Sequence, residues 1–122
     1  LKNVILTNRL EWSDVLKIYQ DSDILYAQLT SNFQKAVPSK LYEYLSSGKY
    51  IIYAGCGEAK DLLGEFNNNV VIPPSNSGEL VKAIMNMVSV NNYTKLSKSN
   101  RNRIKEFYLR DDLTKKFYEK YL

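Results

Sequence analysis

The chain contains four short runs that are apolar along most of their length. They are VILT at 4–7, ILYAQ at 24–28, YIIYA at 50–54 and VVI at 70–72. Because these runs do not alternate with polar residues, they are typical of strands buried on both faces of a sheet.

The segments beside these runs carry apolar residues at spacings of three and four, which predicts helices. The predicted helices cover residues 11–19, 38–47, 58–66, 77–88 and 94–108, with a last one capped by Asp111 or Asp112 and ending at Tyr121. Pro38 suits a first helical turn, Gly48 a left-handed C-cap and Ser77 an N-cap. Strands separated by helices predict an α/β fold, a Rossmann-like parallel sheet of about four strands with flanking helices.

Composition narrows the possible chemistry. The chain has 122 residues, no His and one Cys, which indicates one domain without a zinc site or a His-based triad. A single Cys cannot form a disulfide within the chain, which is typical of a protein in a reducing compartment. The sequence contains no run of 18 apolar residues, so it predicts no transmembrane helix. The first residues lack Met and the pattern of a signal peptide, so we expect an internal piece of a longer cytoplasmic protein.

The positive charge is concentrated at the C-terminal end. Residues 95–122 carry nine Lys and Arg against four acids, a net charge of +5, whereas residues 1–94 have a net charge of −1. A basic tail favours an acidic partner such as anionic lipid head groups or nucleic acid. The alternative is a solvated, Lys-rich helix face without a partner.

The most informative segment for function is PSKLYEYLSSGK at 38–49. A helix that begins here after a strand presents its first N–H groups and its positive dipole end, which favours an anion. Ser39 and Lys40 add a hydroxyl and a charge suited to a phosphate or diphosphate. Glu43 lies one turn further along, where a carboxylate accepts hydrogen bonds from a vicinal diol such as that of ribose. The alternative is a surface helix with a Lys40–Glu43 ion pair.

Two other loops fall at the carboxyl ends of predicted strands, where ligands bind in such folds. Gly55 and Gly57 allow a ligand to approach the backbone closely, or they form an ordinary turn. Cys56 between them lacks any His that would activate a nucleophile. Arg9 could pair with a phosphate or stack on a base, or it is simply solvated.

Residues 3–88 resemble the second half of the C-terminal domain of family 4 retaining glycosyltransferases, which have two Rossmann-like domains in the GT-B arrangement. The most specific match is 38–49, which resembles a donor-binding helix of the form PSK-x-x-E-Y-x-x-x-G-K. The segment 69–74, NVVIPP, is similar to the strand ending in V-P-P. The tail motif F-x-x-R is matched at 107–110.

This resemblance implies that residues 1–122 are part of a C-terminal nucleotide-sugar-binding domain, with basic C-terminal helices over 93–122. Glu43 would bind the ribose hydroxyls of a nucleoside diphosphate sugar. Ser39 and Lys40 would lie near the diphosphate. The implied neighbours of the base are Arg9 and Leu10, and the loop glycines Gly55 and Gly57 complete the predicted donor site.

The sequence departs from the family pattern at one carboxylate. Many members carry two glutamates eight positions apart, but Lys35 stands where the first is expected. Gln34 is the nearest residue that could contact the sugar through its amide. The sequence predicts no metal site and does not identify the catalytic residues. No cofactor is predicted either, because the nucleoside diphosphate sugar is a substrate.

The resemblance also implies missing parts. The family domain begins with two further strands that help clamp the diphosphate, and an N-terminal domain binds the acceptor. We therefore expect the chain alone to be a poor or inactive catalyst. The strand at 24–28 would have an unpaired edge, which a second copy could cover.

The predicted function is thus the donor-binding portion of a glycosyltransferase that acts on a glycan or lipid-linked acceptor in polysaccharide biosynthesis. Residues 95–120 would suit peripheral contact with the inner face of the membrane. The alternative is a non-catalytic α/β nucleotide-binding or signalling module, although the first strand lacks the acidic end of a receiver domain. Scattered Tyr residues, without one basic platform, argue against nucleic acid as the partner.

Overall fold

The computed structural model describes residues 2–91 and 93–121 of the chain. Its helices are α1 (Trp12–Asp21), α2 (Ser39–Ser47), α3 (Glu58–Leu63), α4 (Ser77–Val90), α5 (Lys98–Phe107) and α6 (Arg110–Tyr121). Its strands are β1 (Ile24–Gln28), β2 (Tyr50–Ala54) and β3 (Asn69–Ile72), and a 3₁₀ turn spans Ser31–Phe33. The strands form one parallel sheet in the order β1-β2-β3, which confirms the predicted α/β fold class.

The sheet is covered on both faces, as its apolar strands require. On one face Ile51 and Tyr53 of β2 pack in a core that includes residues of α2, α3 and α5. On the other face Ile52 and Ala54 pack against α4 through Met87 and its neighbours. Successive residues of β2 alternate between the two cores, because side chains in a strand point to opposite faces.

The strand predicted over residues 4–7 is wrong. This segment has no regular structure, and Ile5 and Leu6 are 88% and 92% exposed. A strand needs a neighbour for its backbone hydrogen bonds, and no strand in the described ranges pairs with this segment. The sheet therefore has three strands among the described residues, and β1 lies at its edge.

The helix ends agree with the predicted elements to within a few residues, but two caps differ. Gly48 ends α2 with a φ of 73°, the left-handed conformation expected there. The side chain that caps α4 belongs to Asn76, not Ser77, and it accepts a hydrogen bond from the Glu79 amide at 3.0 Å. Helix α6 begins at Arg110, one residue before the first predicted cap.

Backbone and side-chain hydrogen bonds attach the basic helix α5 to the sheet domain. The buried Asn100 side chain accepts from the Asn67 amide at 2.9 Å and donates to the Asn67 carbonyl at 2.7 Å. The Ser97 amide donates to the carbonyl of Gly48 at 2.8 Å. Helix α5 is therefore held beside α2, the helix that carries the predicted donor-binding motif.

Candidate functional site

The carboxyl edge of the sheet brings together the loops that follow β1 and β2. The strand ends Gln28 and Ala54 are register partners, and the Leu29 amide extends the ladder with a 2.9 Å hydrogen bond to the Ala54 carbonyl. The predicted site residues in these loops, Gln34, Gly55 and Gly57, therefore lie at one edge together with the start of α2. Ligands bind at this edge in open α/β sheets.

The start of α2 is open to solvent. Pro38 is the residue before the helix, not its first helical residue, and no side chain of the described residues caps this end. Ser39 and Lys40 form the first two helical positions, and both are exposed. Their hydroxyl and ammonium groups thus stand beside the unpaired N–H groups of a helix start, an arrangement that favours an anion.

Glu43 points toward α1 and does not pair with Lys40. The Tyr19 hydroxyl donates a 2.8 Å hydrogen bond to Oε2 of the half-buried Glu43 carboxylate. The predicted alternative, a Lys40–Glu43 ion pair, is not formed. The Tyr19 ring packs edge-on against Trp12 and Tyr44, with ring centroids 6.3 and 5.3 Å away. This packing holds the Tyr19 hydroxyl in place beside Glu43.

A cavity of about 500 Å³ opens between α1, α2 and the start of α5 beside this hydrogen bond. Its wall includes Trp12, Leu16, Tyr19, Glu43 and Arg101. The helix predicted over 11–19 gave Trp12 and Tyr19 no role beyond packing. Tyr19 is half-buried, and the hydroxyl of a buried Tyr usually finds a hydrogen-bond partner.

Of the other predicted site residues, Gln34 lies at the carboxyl edge of the sheet, whereas Arg9 and Leu10 lie in the segment before α1. Arg9 is exposed and Leu10 is half-buried, both in the irregular segment before α1, and no described hydrogen bond joins them to α2. The backbone of Gln34, in contrast, is held at the carboxyl edge, because its carbonyl accepts a 2.8 Å hydrogen bond from the Glu58 amide. That bond occupies the first amide of α3, so α2 has the more open helix start of the two.

Packing explains both loop glycines without a ligand. Gly57 has a φ of 72°, and a Cβ there would overlap the Gln34 carbonyl oxygen. A Cβ at Gly55 would overlap the ring of Tyr53. The role of these glycines in donor binding stays a prediction, but their residue type follows from the fold alone.

The burial of Tyr19 and its hydrogen bond to Glu43 make the stability of the folded chain sensitive to alkali. Burial, together with the Glu43 carboxylate, raises the pKa of Tyr19 above its ordinary value of 10.0. The unfolded chain therefore loses this proton first, and the associated stability, complete below pH 10, falls as the pH rises further.

We expect the free energy of unfolding in urea to decrease as the pH rises above 10, and to decrease less in Tyr19→Phe. A residual slope remains in the variant, since burial also raises the pKa of Tyr44 and Tyr53. Equal slopes for the two proteins would contradict the role given to Tyr19.

Neither the helices nor the acidic side chains of the described ranges offer a membrane span or a metal site. No helix within residues 2–91 and 93–121 is both long and apolar enough to cross a bilayer. In the same ranges, no three His, Cys, Asp or Glu side chains group closely enough to hold a metal ion.

Comparison with known proteins identifies the kind of domain to which these elements belong. The family model described as "Glycosyl transferases group 1" matches residues 1–113. Comparisons with curated proteins and with solved structures found no significant match.

Proposed function

The chain belongs to the glycosyl transferases group 1 family, and on this premise we propose that it is the donor-binding portion of a retaining glycosyltransferase of family 4. The intact enzyme would transfer a sugar from a nucleoside diphosphate sugar to a glycan or lipid-linked acceptor in polysaccharide biosynthesis. The observation that carries this proposal is the uncapped start of α2 at the carboxyl edge of the sheet, one turn before a positioned carboxylate.

The diphosphate is assigned to the start of α2. Its free amides, the Ser39 hydroxyl and the Lys40 ammonium are exposed on the same helical turn, and all three are groups that bind phosphate oxygens. In sugar transfer, negative charge develops on the departing diphosphate. Donors that are already in position stabilise that charge most when the bond breaks, so this turn would lower the barrier directly.

The ribose is assigned to Glu43. Tyr19 holds Oε2 of the carboxylate, and the remaining lone pairs of a carboxylate suffice to accept from a 2′- and a 3′-hydroxyl. Because Glu43 lies four residues after Ser39, the two side chains are on the same face of α2, one turn apart. This spacing is compatible with a nucleoside whose diphosphate lies at the helix start.

The remaining contacts follow from this orientation of the nucleotide. The base would lie toward Arg9 and Leu10, before α1, and the sugar toward Gln34, Gly55 and Gly57 at the carboxyl edge. No described residue is assigned as a catalytic acid or base, and no cofactor is required. The acceptor would be bound mainly by an N-terminal domain outside these 122 residues, so the chain alone would not turn over.

Calorimetric titration of the intact enzyme with nucleoside diphosphates and with the matching monophosphates tests the assignment. We expect the diphosphate of the preferred base to bind more tightly than its monophosphate, and the difference to shrink in Ser39→Ala/Lys40→Ala. An intact enzyme that binds no nucleoside diphosphate would refute the proposed function. Sugar transfer by the 122-residue chain alone would refute the proposal that parts of the active site lie outside these residues.

The edge of β1 supports a second contact. Strand β1 pairs only with β2 among the described strands, and an unpaired edge is a template for another chain. We propose that two copies of the chain pair through β1. Sedimentation velocity should show a dimer that is lost in Tyr26→Lys, since Tyr26 is an exposed edge residue and a lysine there opposes edge pairing. A monomeric wild-type chain would contradict this.

We also propose that the enzyme acts in the cytoplasm and makes peripheral contact with the inner face of the membrane through residues 95–120. The net charge of +5 over residues 95–122 supports an anionic surface as the partner.

A further inference from the structure

One continuous surface joins α1 to α5, and we call it the α1–α5 face. The cavity beside Glu43 adjoins a second cavity of about 430 Å³, and Ser46 and Arg101 line both of them. The residues that define the face are Trp12, Leu16, Leu96, Lys98, Arg101, Lys105 and Leu109. They come from two stretches of the chain, 12–16 and 96–109, so only the folded structure brings them together.

The cations of this face have no acidic partner among the described residues. Lys98, Arg101 and Lys105 follow one another at spacings of three and four on α5, which places them on one side of the helix. All three are exposed, and none lies within 4.0 Å of a carboxylate among the described residues. A different cation of α5, Arg103, forms an ion pair with Glu65 at 2.9 Å. Three unpaired like charges on one stripe favour an anionic counterpart from outside the chain.

Exposed apolar side chains lie among these cations. Trp12 is 54% exposed, Leu96 50% and Leu109 43%. Cations beside an exposed Trp and Leu residues are the combination found at membrane interfaces, where the charges meet head groups and the apolar groups enter the acyl boundary. A nucleic acid would need stacking platforms, and this face offers one Trp whose ring packs against Tyr19.

We propose that the α1–α5 face docks on an anionic lipid bilayer. This inference narrows the membrane contact proposed above for residues 95–120 to three cations and extends it to α1, which lies far from that segment in sequence. Arg101 also lines the cavity beside Glu43, but no donor contact is assigned to Lys98, Arg101 or Lys105, so vesicle binding can be tested apart from donor binding.

Trp12 makes the test direct, because it is the only tryptophan of the chain. The 122-residue chain is mixed with vesicles of phosphatidylglycerol and phosphatidylcholine in equal amounts, or of phosphatidylcholine alone. We expect binding to the anionic vesicles only, with a blue shift of the Trp12 emission and quenching by brominated acyl chains. Binding that leaves the emission unchanged would overturn the proposal, since another face would then be in contact.

Charge variants separate this face from general attraction. Lys98→Gln/Arg101→Gln/Lys105→Gln should weaken vesicle binding roughly 100-fold, on a scale of about fivefold for each cation at an anionic surface. The control Lys2→Gln/Lys60→Gln/Lys82→Gln removes the same charge from exposed positions outside the α1–α5 face and should retain most of the binding. Equal losses in the two variants would overturn the proposal.

An apolar variant tests the contribution of the leucines independently. Leu96→Gln/Leu109→Gln should reduce the quenching by brominated lipid while leaving every charge in place, and circular dichroism verifies that each variant is folded. Preference for an RNA oligonucleotide over anionic vesicles would overturn the proposal. Nucleotide titration of the same proteins is a separate measurement, so failure of membrane docking and failure of donor binding remain distinguishable.

Discussion

Replacing Glu43 with alanine is expected to weaken nucleoside diphosphate binding by the intact enzyme about 10- to 100-fold, since a hydrogen bond to a charged group contributes roughly 1.5–3 kcal/mol. The substitution removes the carboxylate proposed to accept the ribose hydroxyls. Glu43 is only half-buried, so the fold should survive. Isothermal titration calorimetry measures the affinity, and circular dichroism checks the fold.

A 2′-deoxy nucleotide sharpens this test. Wild-type enzyme should bind the deoxy form more weakly than the ribo form, whereas Glu43→Ala should no longer distinguish them. Asp61→Asn, an exposed carboxylate of α3, is the matched control and should behave as wild type. If Glu43→Ala retains full affinity, or discriminates between the two nucleotides as before, the carboxylate does not bind ribose.

The effects of substitutions at Tyr19 and Glu43 on donor affinity should also be coupled. Tyr19→Phe keeps the aromatic packing against Trp12 and Tyr44 but removes the hydroxyl that donates to Glu43. Its effect on donor affinity should be smaller than that of Glu43→Ala and absent in the Glu43→Ala background, because Tyr19 acts only through the carboxylate.

Gly57→Ala is expected to destabilise the fold by about 3 kcal/mol, because a strained backbone and a broken loop contact add together. Gly57 has φ 72° and ψ −141°, which glycine adopts far more readily than other residues. The added methyl group would also overlap the Gln34 carbonyl, which accepts from the Glu58 amide. Urea unfolding followed by circular dichroism measures the change.

Gly78→Ala is the control for this prediction. A Cβ at Gly78 would meet the Asn76 side chain at 3.4 Å, an ordinary contact, and Gly78 lies in the first turn of α4. Alanine is favoured over glycine within a helix, so this variant should be neutral or more stable by up to about 1 kcal/mol. A Gly57→Ala protein as stable as Gly78→Ala would show that the loop adapts without cost.

Most elements of the fold could be predicted because their signals are local. Strands β1 and β2 have the predicted bounds, since a strand buried on both faces is marked by its own apolar residues. The end of α2 at Gly48 was predictable for the same reason, because the left-handed conformation requires a particular residue type. The strand predicted at 4–7 failed, since an apolar run does not reveal whether a partner strand lies beside it.

The candidate site likewise has some features that the local sequence reveals and others that depend on contacts between distant residues. Ser39, Lys40 and Glu43 occur within one short motif on a single helix, so their spacing was evident from the chain alone. The hydrogen bond that orients Glu43 comes from Tyr19, 24 residues earlier, and no local pattern marks that pairing. The glycine at position 57 likewise depends on the Gln34 carbonyl, a contact with the preceding loop.

The amino-acid sequence alone specified the alternating elements, the predicted donor-binding motif and the basic C-terminal region, because propensity, hydrophobic period and charge are properties of neighbouring residues. Only the tertiary structure decided that residues 4–7 form no strand, that Tyr19 holds Glu43, and that the cations of α5 share a surface with Trp12. These features depend on which distant segments pack together, and packing is a property of the whole chain.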